Sequence, residues 1–137
     1  MNDSLIHTGR ELELMLSGQK SLAMFYAMAH ELPWEALIPE EAFAPHVNAG
    51  RTLRQDIEFA STSLAGEAMA IKYVFYALPG EEWRTQLMIV LKRAFHSGRG
   101  WNETCERMEG TLLGYTNEEN DIHCARAFKR SEPDEQG

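Results

Sequence analysis

The side chains that could do chemistry are concentrated between Trp101 and Cys124. This block holds acids, a histidine and both cysteines of the chain: Glu103, Cys105, Glu106, Glu109, Glu118, Glu119, Asp121, His123 and Cys124. Its six acids and its single base, Arg107, give a net charge of −5, so we expect one acidic pole on the molecule. Such residues serve in metal sites and in acid–base catalysis, and their spacing decides between these uses.

The spacing argues against a metal site. None of the five histidines follows a glutamate by three residues, as the helical ligand pair of di-iron bundles does. Neither cysteine belongs to a C-x-x-C pair, and neighbours such as His123 and Cys124 point about 100° apart on a helix. We therefore predict no metal and no cofactor.

Nucleotide-binding and nucleophile motifs are also missing from the sequence. Gly98-Arg99-Gly100 is a lone G-x-G that follows a helical pattern, and Glu103 stands where a dinucleotide fingerprint needs its third glycine. No P-loop and no G-x-S-x-G elbow occur. The densest polar group is Asn120-Asp121-His123, so an acid–base enzyme that uses Asp121 and His123 is one hypothesis.

The same block can instead form the rim of a pocket or an interface. Trp101 and Tyr115 stand near predicted helix ends, where aromatic side chains serve either core packing or binding. The acids serve either as a solvated face or as partners of a cation. The predicted binding residues are Trp101, Glu103, Tyr115, Asn120, Asp121 and His123.

Composition limits the partners and the compartment. The formal net charge of the 137 residues is −8, which argues against binding to nucleic acid or to an anionic membrane. No apolar run is long enough to span a membrane, and the polar N-terminal segment does not resemble a signal peptide. Two cysteines are too few for a disulfide-built domain, so we predict a cytoplasmic protein with reduced thiols.

The first part of the chain predicts helices around an apolar segment. A capping box at Thr8-Gly9-Arg10-Glu11 predicts a helix that ends at Gly18. Pro39-Glu40-Glu41 predicts a helical first turn, and that helix ends at Gly50. Residues 22–29 fit either a central strand buried on both faces or a buried helix, and their aromatic pair and short length favour the strand.

Two further strands follow. Apolar and charged residues alternate over 51–59, which predicts a strand with one wet face. The aromatic-rich run of residues 69–78 predicts a second strand of the same kind. Their connection is short, so we expect them to be antiparallel neighbours.

Three helices are predicted to close the chain. They open at Glu81-Glu82, at Trp101 and at the capping box Thr116-Asn117-Glu118-Glu119. Their expected inward faces are Trp83, Leu87, Val90, Leu91, Ala94 and Phe95; then Trp101, Cys105, Met108 and Leu112; then Ile122, Ala125 and Phe128. Gly110 inside the second of these helices indicates a close contact with a neighbouring element.

These elements predict one α+β domain over residues 1–137. We expect a small, mainly antiparallel sheet of about three strands, covered by helices, with three C-terminal helices. Residues 131–137 form a polar tail that we expect to be frayed.

Four segments, TGRELELMLSG, YALPGEEWR, GWNE and LLGYTNEEND, resemble a family of small uncharacterised bacterial proteins that includes products of mobile integron gene cassettes. The resemblance covers Thr8 to Asp121 and names no chemistry. It implies a cytoplasmic bacterial accessory protein that can form oligomers. Beyond Asp121 the chain has Ile122-His123-Cys124 where the family pattern has tryptophans, so no role of those aromatics carries over.

The leading hypothesis is a non-enzymatic binding protein, a homo-oligomer that holds a small molecule or a protein partner. It depends on the missing reaction motifs, the acidic pole and the aromatics near the helix ends. Two alternatives stay open: the acid–base enzyme of Asp121 and His123, and an acidic inhibitor or antitoxin-like protein that covers a basic partner.

Overall fold

The computed structural model describes residues 7, 9–28, 37–62, 65–97 and 101–129, with the side chains of 61, 128 and 129 excepted. The chain is an α+β protein in which helices cover a three-stranded antiparallel sheet. Thr8, Ala29, the G-x-G motif at 98–100 and the predicted tail at 131–137 lie outside the described residues.

Eight elements follow one another along the described residues. They are α1 (Glu11–Leu16), β1 (Leu22–Met28), α2 (Glu40–Asn48), β2 (Leu53–Thr62), β3 (Ala68–Ala77), α3 (Glu82–His96), α4 (Glu103–Leu112) and α5 (Asn117–Lys129). The prediction of three C-terminal helices after a small sheet is confirmed.

The sheet has the strand order β1-β3-β2, and every pairing in it is antiparallel. β2 and β3 form the predicted hairpin, with Leu53 opposite Ala77 and Thr62 opposite Ala68. The strand assignment of the 22–29 segment is confirmed over Leu22–Met28, but β1 pairs with β3 alone in the described sheet and lies at an edge. The prediction that it is central was wrong.

The central strand is β3, and both of its faces are buried over residues 73–77, whereas residues 68–72 are exposed or half-buried. Tyr73 and Phe75 enter one apolar cluster, and Val74 and Tyr76 enter another on the opposite face. The predicted wet face of this strand was therefore wrong, because helices cover the sheet on both sides. A fully buried strand carries apolar residues at successive positions, without the alternation of a half-exposed one.

The two N-terminal helices cover one face of the sheet. Met15 of α1 and Phe43 of α2 pack with Tyr76, whose ring is stacked on that of Phe43 with 3.9 Å between the centroids. α2 follows Pro39 and ends where Gly50 adopts a φ of 77°, as predicted. The N-cap of α1 is Arg10, which makes no side-chain capping bond, and Thr8 of the predicted capping box lies outside the described residues.

The C-terminal helices cover the other face. Met88 and Ile89 of α3 and Leu112 of α4 pack with Tyr73 and Phe75 of the sheet. The cap of α4 is Asn102, whose side chain accepts a hydrogen bond from the Cys105 amide at 3.0 Å.

The inward faces predicted for these three helices were correct in part: Leu91 and Leu112 are buried and Trp101 packs against the same cluster, but other predicted members are exposed. α3 buries Thr85, Met88, Ile89, Leu91 and Lys92, and leaves Trp83, Leu87, Val90 and Phe95 exposed. α4 turns Met108 outward and brings Glu106 and Glu109 towards neighbouring helices. α5 buries Asn120 and Cys124 in preference to Ala125, and the Phe128 side chain is outside the description. In each helix a polar side chain with a specific partner lies on the inward face. The most apolar side of the helix is therefore not the side that faces the core.

Candidate functional site

The six predicted binding residues fall in three places. Trp101, Glu103, Asp121 and His123 lie along the contact between α4 and α5 and are linked through two residues of α4. Asn120 is buried between the same two helices. Tyr115 follows the far end of α4, which is about 15 Å long, and contacts a different set of residues.

Glu106 joins Trp101 to His123. The Trp101 indole donates to Glu106 Oε1 at 2.5 Å, and His123 Nε2 lies 2.8 Å from Glu106 Oε2. Burial alone would raise the pKa of Glu106, but the bonds from Trp101 and His123 outweigh it and hold this pKa below its usual range. The carboxylate is thus a fixed negative charge between a tryptophan and a histidine. The sequence block contained this residue but gave no sign of its central position.

Arg107 joins Glu103 to Asp121. Its guanidinium lies 3.0 Å from Glu103 Oε2, within α4, and 2.7 Å from Asp121 Oδ1 across the helix pair. Asp121 is therefore paired with Arg107, whereas His123 is paired with Glu106. The two residues named for acid–base chemistry have different partners, and both side chains are exposed.

Asn120 explains the glycine in α4. A Cβ atom at Gly110 would stand 2.1 Å from Asn120 Oδ1, so only glycine leaves room for the side chain as it is placed. The Asn120 amide donates to Thr111 Oγ1 at 3.0 Å. This confirms the close contact that Gly110 indicated, and it gives Asn120 a structural place between helices.

Most acids of the acidic pole have partners within the protein. Of the six acids in the block, five are hydrogen-bonded or ion-paired: Glu103 and Asp121 with Arg107, Glu106 with Trp101 and His123, Glu109 with Lys92, and Glu119 with the backbone amide of Thr116. The last bond belongs to the predicted capping box, whose return bond from the Glu119 amide to Thr116 Oγ1 is also present at 3.1 Å. A cationic partner would have to compete with these pairs.

Tyr115 takes part in a cluster that the sequence did not reveal. Its ring is stacked on that of His7, with 3.9 Å between centroids and 9° between planes. Lys20 is buried, and its amine lies 2.9 Å from His7 Nδ1 and donates to the Leu113 carbonyl. Burial and the Lys20 charge lower the pKa of His7 to about 4, and burial lowers the pKa of Lys20 to about 8. The cluster ties the N-terminal segment to the α4–α5 turn.

Lys92 is buried on the inward side of α3 and lies at the centre of a second cluster. Its amine donates to Glu109 Oε1 at 2.9 Å, and it stands 5.4 to 5.6 Å from the ring centroids of Tyr73, Phe95 and Trp101. A lysine inside an apolar helix pattern reads as a solvent-facing residue, so the sequence offered no signal for it. Its burial fixes which side of α3 faces the sheet.

The opposite side of α3 carries an exposed apolar stripe, which consists of Trp83, Leu87 and Val90. Their exposed fractions are 50%, 48% and 61%. Arg84 lies over the Trp83 ring at 4.7 Å and is itself held by Glu81 at 2.7 Å. Exposed apolar side chains that follow one helix face mark interaction surfaces more often than isolated ones do. The sequence showed this apolar periodicity but assigned it to the core.

Two classes of site find no support among the residues that the structure describes. Within 7, 9–28, 37–62, 65–97 and 101–129, no group of three or more histidines, cysteines or acids could hold a metal ion. No helix in this part of the chain has the length and apolar character needed to cross a membrane. Cys105 and Cys124 are free thiols, and Cys124, not Cys105, is the buried one of the two.

Comparison of the chain with known protein families, with characterised proteins and with solved structures found no match in any of the three. The resemblance to integron cassette products stays a prediction. The fold and the side-chain geometry are therefore the basis for assigning a function.

Proposed function

We propose that this protein acts by binding and not by catalysis, and that it does so as a homo-oligomer through the exposed apolar stripe of α3. The observation that carries the proposal is the exposure of Trp83, Leu87 and Val90 along one face of a well-packed helix. Tryptophan is enriched among the residues that dominate binding energies, and an apolar centre with a polar surround is typical of protein interfaces. A stripe of exposed side chains along a helix suits a protein partner better than a small molecule.

The acidic-inhibitor alternative is less favoured. A charge-steered inhibitor needs acids that can meet the cations of its target. Here Arg107 already bridges Glu103 and Asp121, and Lys92 holds Glu109. Exchange of such pairs for pairs with a partner brings little net gain.

We also propose a cytoplasmic location. Cys105 and Cys124 are free thiols on neighbouring helices, and Cys124 is buried in the α4–α5 contact. Burial raises the pKa of the Cys124 thiol, which keeps it in its unreactive neutral form. Two reduced cysteines suit a compartment that keeps thiols reduced.

Sedimentation velocity over a hundredfold concentration range tests the binding proposal. We expect the wild-type protein to populate a dimer or higher oligomer, and Leu87→Glu to remain a monomer at every concentration. Met108→Glu is the matched control, because Met108 is as exposed as Leu87 (47% against 48%) but lies on α4. A wild-type protein that stays monomeric throughout would contradict the proposal.

One observation favours a second candidate, the acid–base enzyme. His123 Nε2 is held by the partly buried Glu106 at 2.8 Å, which resembles the orientation of a catalytic histidine by a carboxylate. The Nδ1 atom of His123 would then exchange a proton with the substrate. In this arrangement Glu106, and not Asp121, is the carboxylate that orients His123.

Hydrolysis of a panel of activated esters and phosphate esters tests this candidate. We expect any true activity to be lost in His123→Gln and sharply reduced in Glu106→Gln, with Asp121→Asn unchanged. Activity that survives His123→Gln would come from another site or from a contaminant and would remove this candidate.

A further inference from the structure

The apolar stripe occupies one narrow sector of α3. Successive residues of a helix are about 100° apart, so Trp83, Leu87 and Val90 fall within about 60° of one another. Four of the five buried side chains of α3 lie on the far side of the helix (Thr85, Met88, Ile89 and Lys92), whereas Leu91 lies about 40° from Leu87 and borders the stripe. A partner that covers the stripe would contact α3 over residues 83–90 and would not disturb the core.

Two charged side chains flank the stripe on one side. Glu82 begins α3 and Arg93 stands in its last turn, and both are about 80 to 100° from Trp83 in the same rotational sense. Both are exposed. Neither has an ion pair or a side-chain hydrogen bond within the part of the chain that the structure describes. Each is available to a partner.

The positions of these residues have a centre of symmetry along the helix. The midpoint between Trp83 and Val90 and the midpoint between Glu82 and Arg93 both fall within half a residue of Leu87, about 0.75 Å along the helix axis. A two-fold axis perpendicular to α3 at Leu87 therefore exchanges the two ends of the stripe. It also places acid against base, because residues on the same side of two antiparallel helices face each other.

We propose that the stripe binds a second copy of this chain, with the two α3 helices antiparallel and Leu87 at the two-fold axis. Trp83 then packs against Val90 of the partner subunit, and Glu82 pairs with Arg93 of the partner subunit. The proposal rests on the proposed function and specifies its partner and geometry. A closed two-fold dimer buries the same patch on both copies, so no exposed stripe remains to which further subunits could bind.

Other arrangements use these residues less well. A parallel pair of helices would leave Glu82 and Arg93 of the partner subunit about 16 Å apart along the helix axis, so this ion pair could not form. In a two-fold dimer, Glu82 and Arg93 can pair only if they lie at similar distances on either side of Leu87. Binding of an unrelated protein places no such condition on their positions. The charge arrangement therefore favours the antiparallel copy.

Charge reversal tests the pairing. Glu82→Arg and Arg93→Glu each set like charges against one another twice in the dimer, and we expect each to raise the dissociation constant about fivefold. The combined variant Glu82→Arg/Arg93→Glu restores both pairs and should return to within about twofold of the wild type. Glu118→Arg changes the net charge of the chain as Glu82→Arg does, but at the start of α5, and should leave the constant unchanged. Additive losses in the combined variant would overturn the pairing.

Cross-linking tests the position of the axis. At an interaxial distance of 8 to 10 Å, residues on a two-fold axis bring their Cα atoms to about 4 to 6 Å, which suits a disulfide. In a Cys105→Ser background, we expect Leu87→Cys to form a covalent dimer on mild oxidation. Trp83→Cys should not cross-link to itself, because its two copies are about 12 Å apart along the helices. The Cys105→Ser parent is the control.

The outcomes separate this proposal from the proposed function. If the wild type is a dimer but Trp83→Cys cross-links and Leu87→Cys does not, the antiparallel geometry is wrong and the binding function stands. If the wild type is a monomer at every concentration, both are wrong and the stripe belongs to a different partner. Cross-linking of Leu87→Cys together with rescue by the combined charge variant would establish the dimer as proposed.

Discussion

Several buried polar side chains decide the architecture of this protein at the scale of single residues. Lys20 bonds to a carbonyl 93 positions away in the chain, and Lys92 bonds to a glutamate of the next helix. Lysine is almost never fully buried unless it is paired. Its burial therefore depends on partners that no local sequence window contains, and for this reason the sequence placed neither residue.

The His7 ring makes stability depend on pH between about 6.5 and about 4. In the folded protein the pKa of His7 is lowered to about 4 from an ordinary value of 6.5, first by burial and next by Lys20. As the pH falls through this window, the unfolded chain takes up the proton first, so the folded state loses stability. Urea denaturation at a series of pH values measures this loss.

His7→Phe is the control for that titration. The phenyl ring can stack on Tyr115 as the imidazole does, but it takes up no proton. The variant loses the Lys20 contact and should be less stable at neutral pH, with a flatter decline between pH 6.5 and pH 4. Glu119 and Arg10 also act on His7 and are present in both proteins. Equal slopes in the two proteins would show that His7 does not titrate in this way.

Thr52 offers a stabilising substitution. Its hydroxyl is fully buried and has no hydrogen-bond partner among the described residues. Thr52→Val removes this unsatisfied group and keeps the shape, so we expect a gain of up to about 1 kcal/mol in the free energy of unfolding. Thr52→Ser keeps the hydroxyl and deletes a buried methyl, and should cost about 1 kcal/mol. Thermal and urea unfolding measure both. A loss of stability in Thr52→Val would mean that the hydroxyl is satisfied.

At the scale of elements, the sequence predicted where helices begin, but it did not predict which side of each helix faces the core. Pro39, Glu82 and the Thr116–Glu119 capping box set helix starts where the sequence placed them. These signals act within one turn of the chain. Which side of α3 faces the sheet depends instead on the contact of Lys92 with Glu109. This tertiary contact turns Lys92 inward, although another side of the helix is more apolar. Five of the residues predicted to bind lie at the α4–α5 contact and Tyr115 lies outside it, and their binding role stays a prediction.

The α4–α5 contact depends on the absence of a side chain at Gly110. In Gly110→Ala the new Cβ atom would stand 2.1 Å from Asn120 Oδ1, so the buried amide must move and weaken its bond to Thr111. The helix propensity gained is about 1 kcal/mol, whereas strain and an unsatisfied amide cost about 2 to 4 kcal/mol. We expect a net loss of about 1 to 3 kcal/mol in the free energy of unfolding.

A double-mutant cycle isolates this contact. Asn120→Ala alone should destabilise the protein, because Asn120 is buried and bonded. Adding Gly110→Ala to Asn120→Ala meets no clash and should raise stability by about 1 kcal/mol, the opposite sign to its effect in the wild type. The same sign in both backgrounds would argue against the packing described here.

At the scale of the whole molecule, β3 organises two cores. Tyr73 and Phe75 face the C-terminal helices, and Val74 and Tyr76 face α1 and α2. The aromatic composition of β3 identified it as a strand but not as the central one, because strand order depends on which elements cover which face. The helices cover both faces of the sheet, and the exposed stripe of Trp83, Leu87 and Val90 is an apolar surface on the outer side of α3 that a second subunit can cover.

Dimer formation through that stripe should couple thermal stability to protein concentration. A partner that binds only the folded state raises the melting temperature, and the effect grows with the concentration of that partner. We expect the melting temperature of the wild type to rise by several degrees over a hundredfold increase in concentration. Val90→Glu should melt at one temperature throughout and match the wild type at the lowest concentration, because Val90 is 61% exposed and outside the core. Met108→Glu should keep the wild-type dependence. A Val90→Glu protein that is less stable than the wild type even at the lowest concentration would place Val90 in the fold of the monomer and not in an interface.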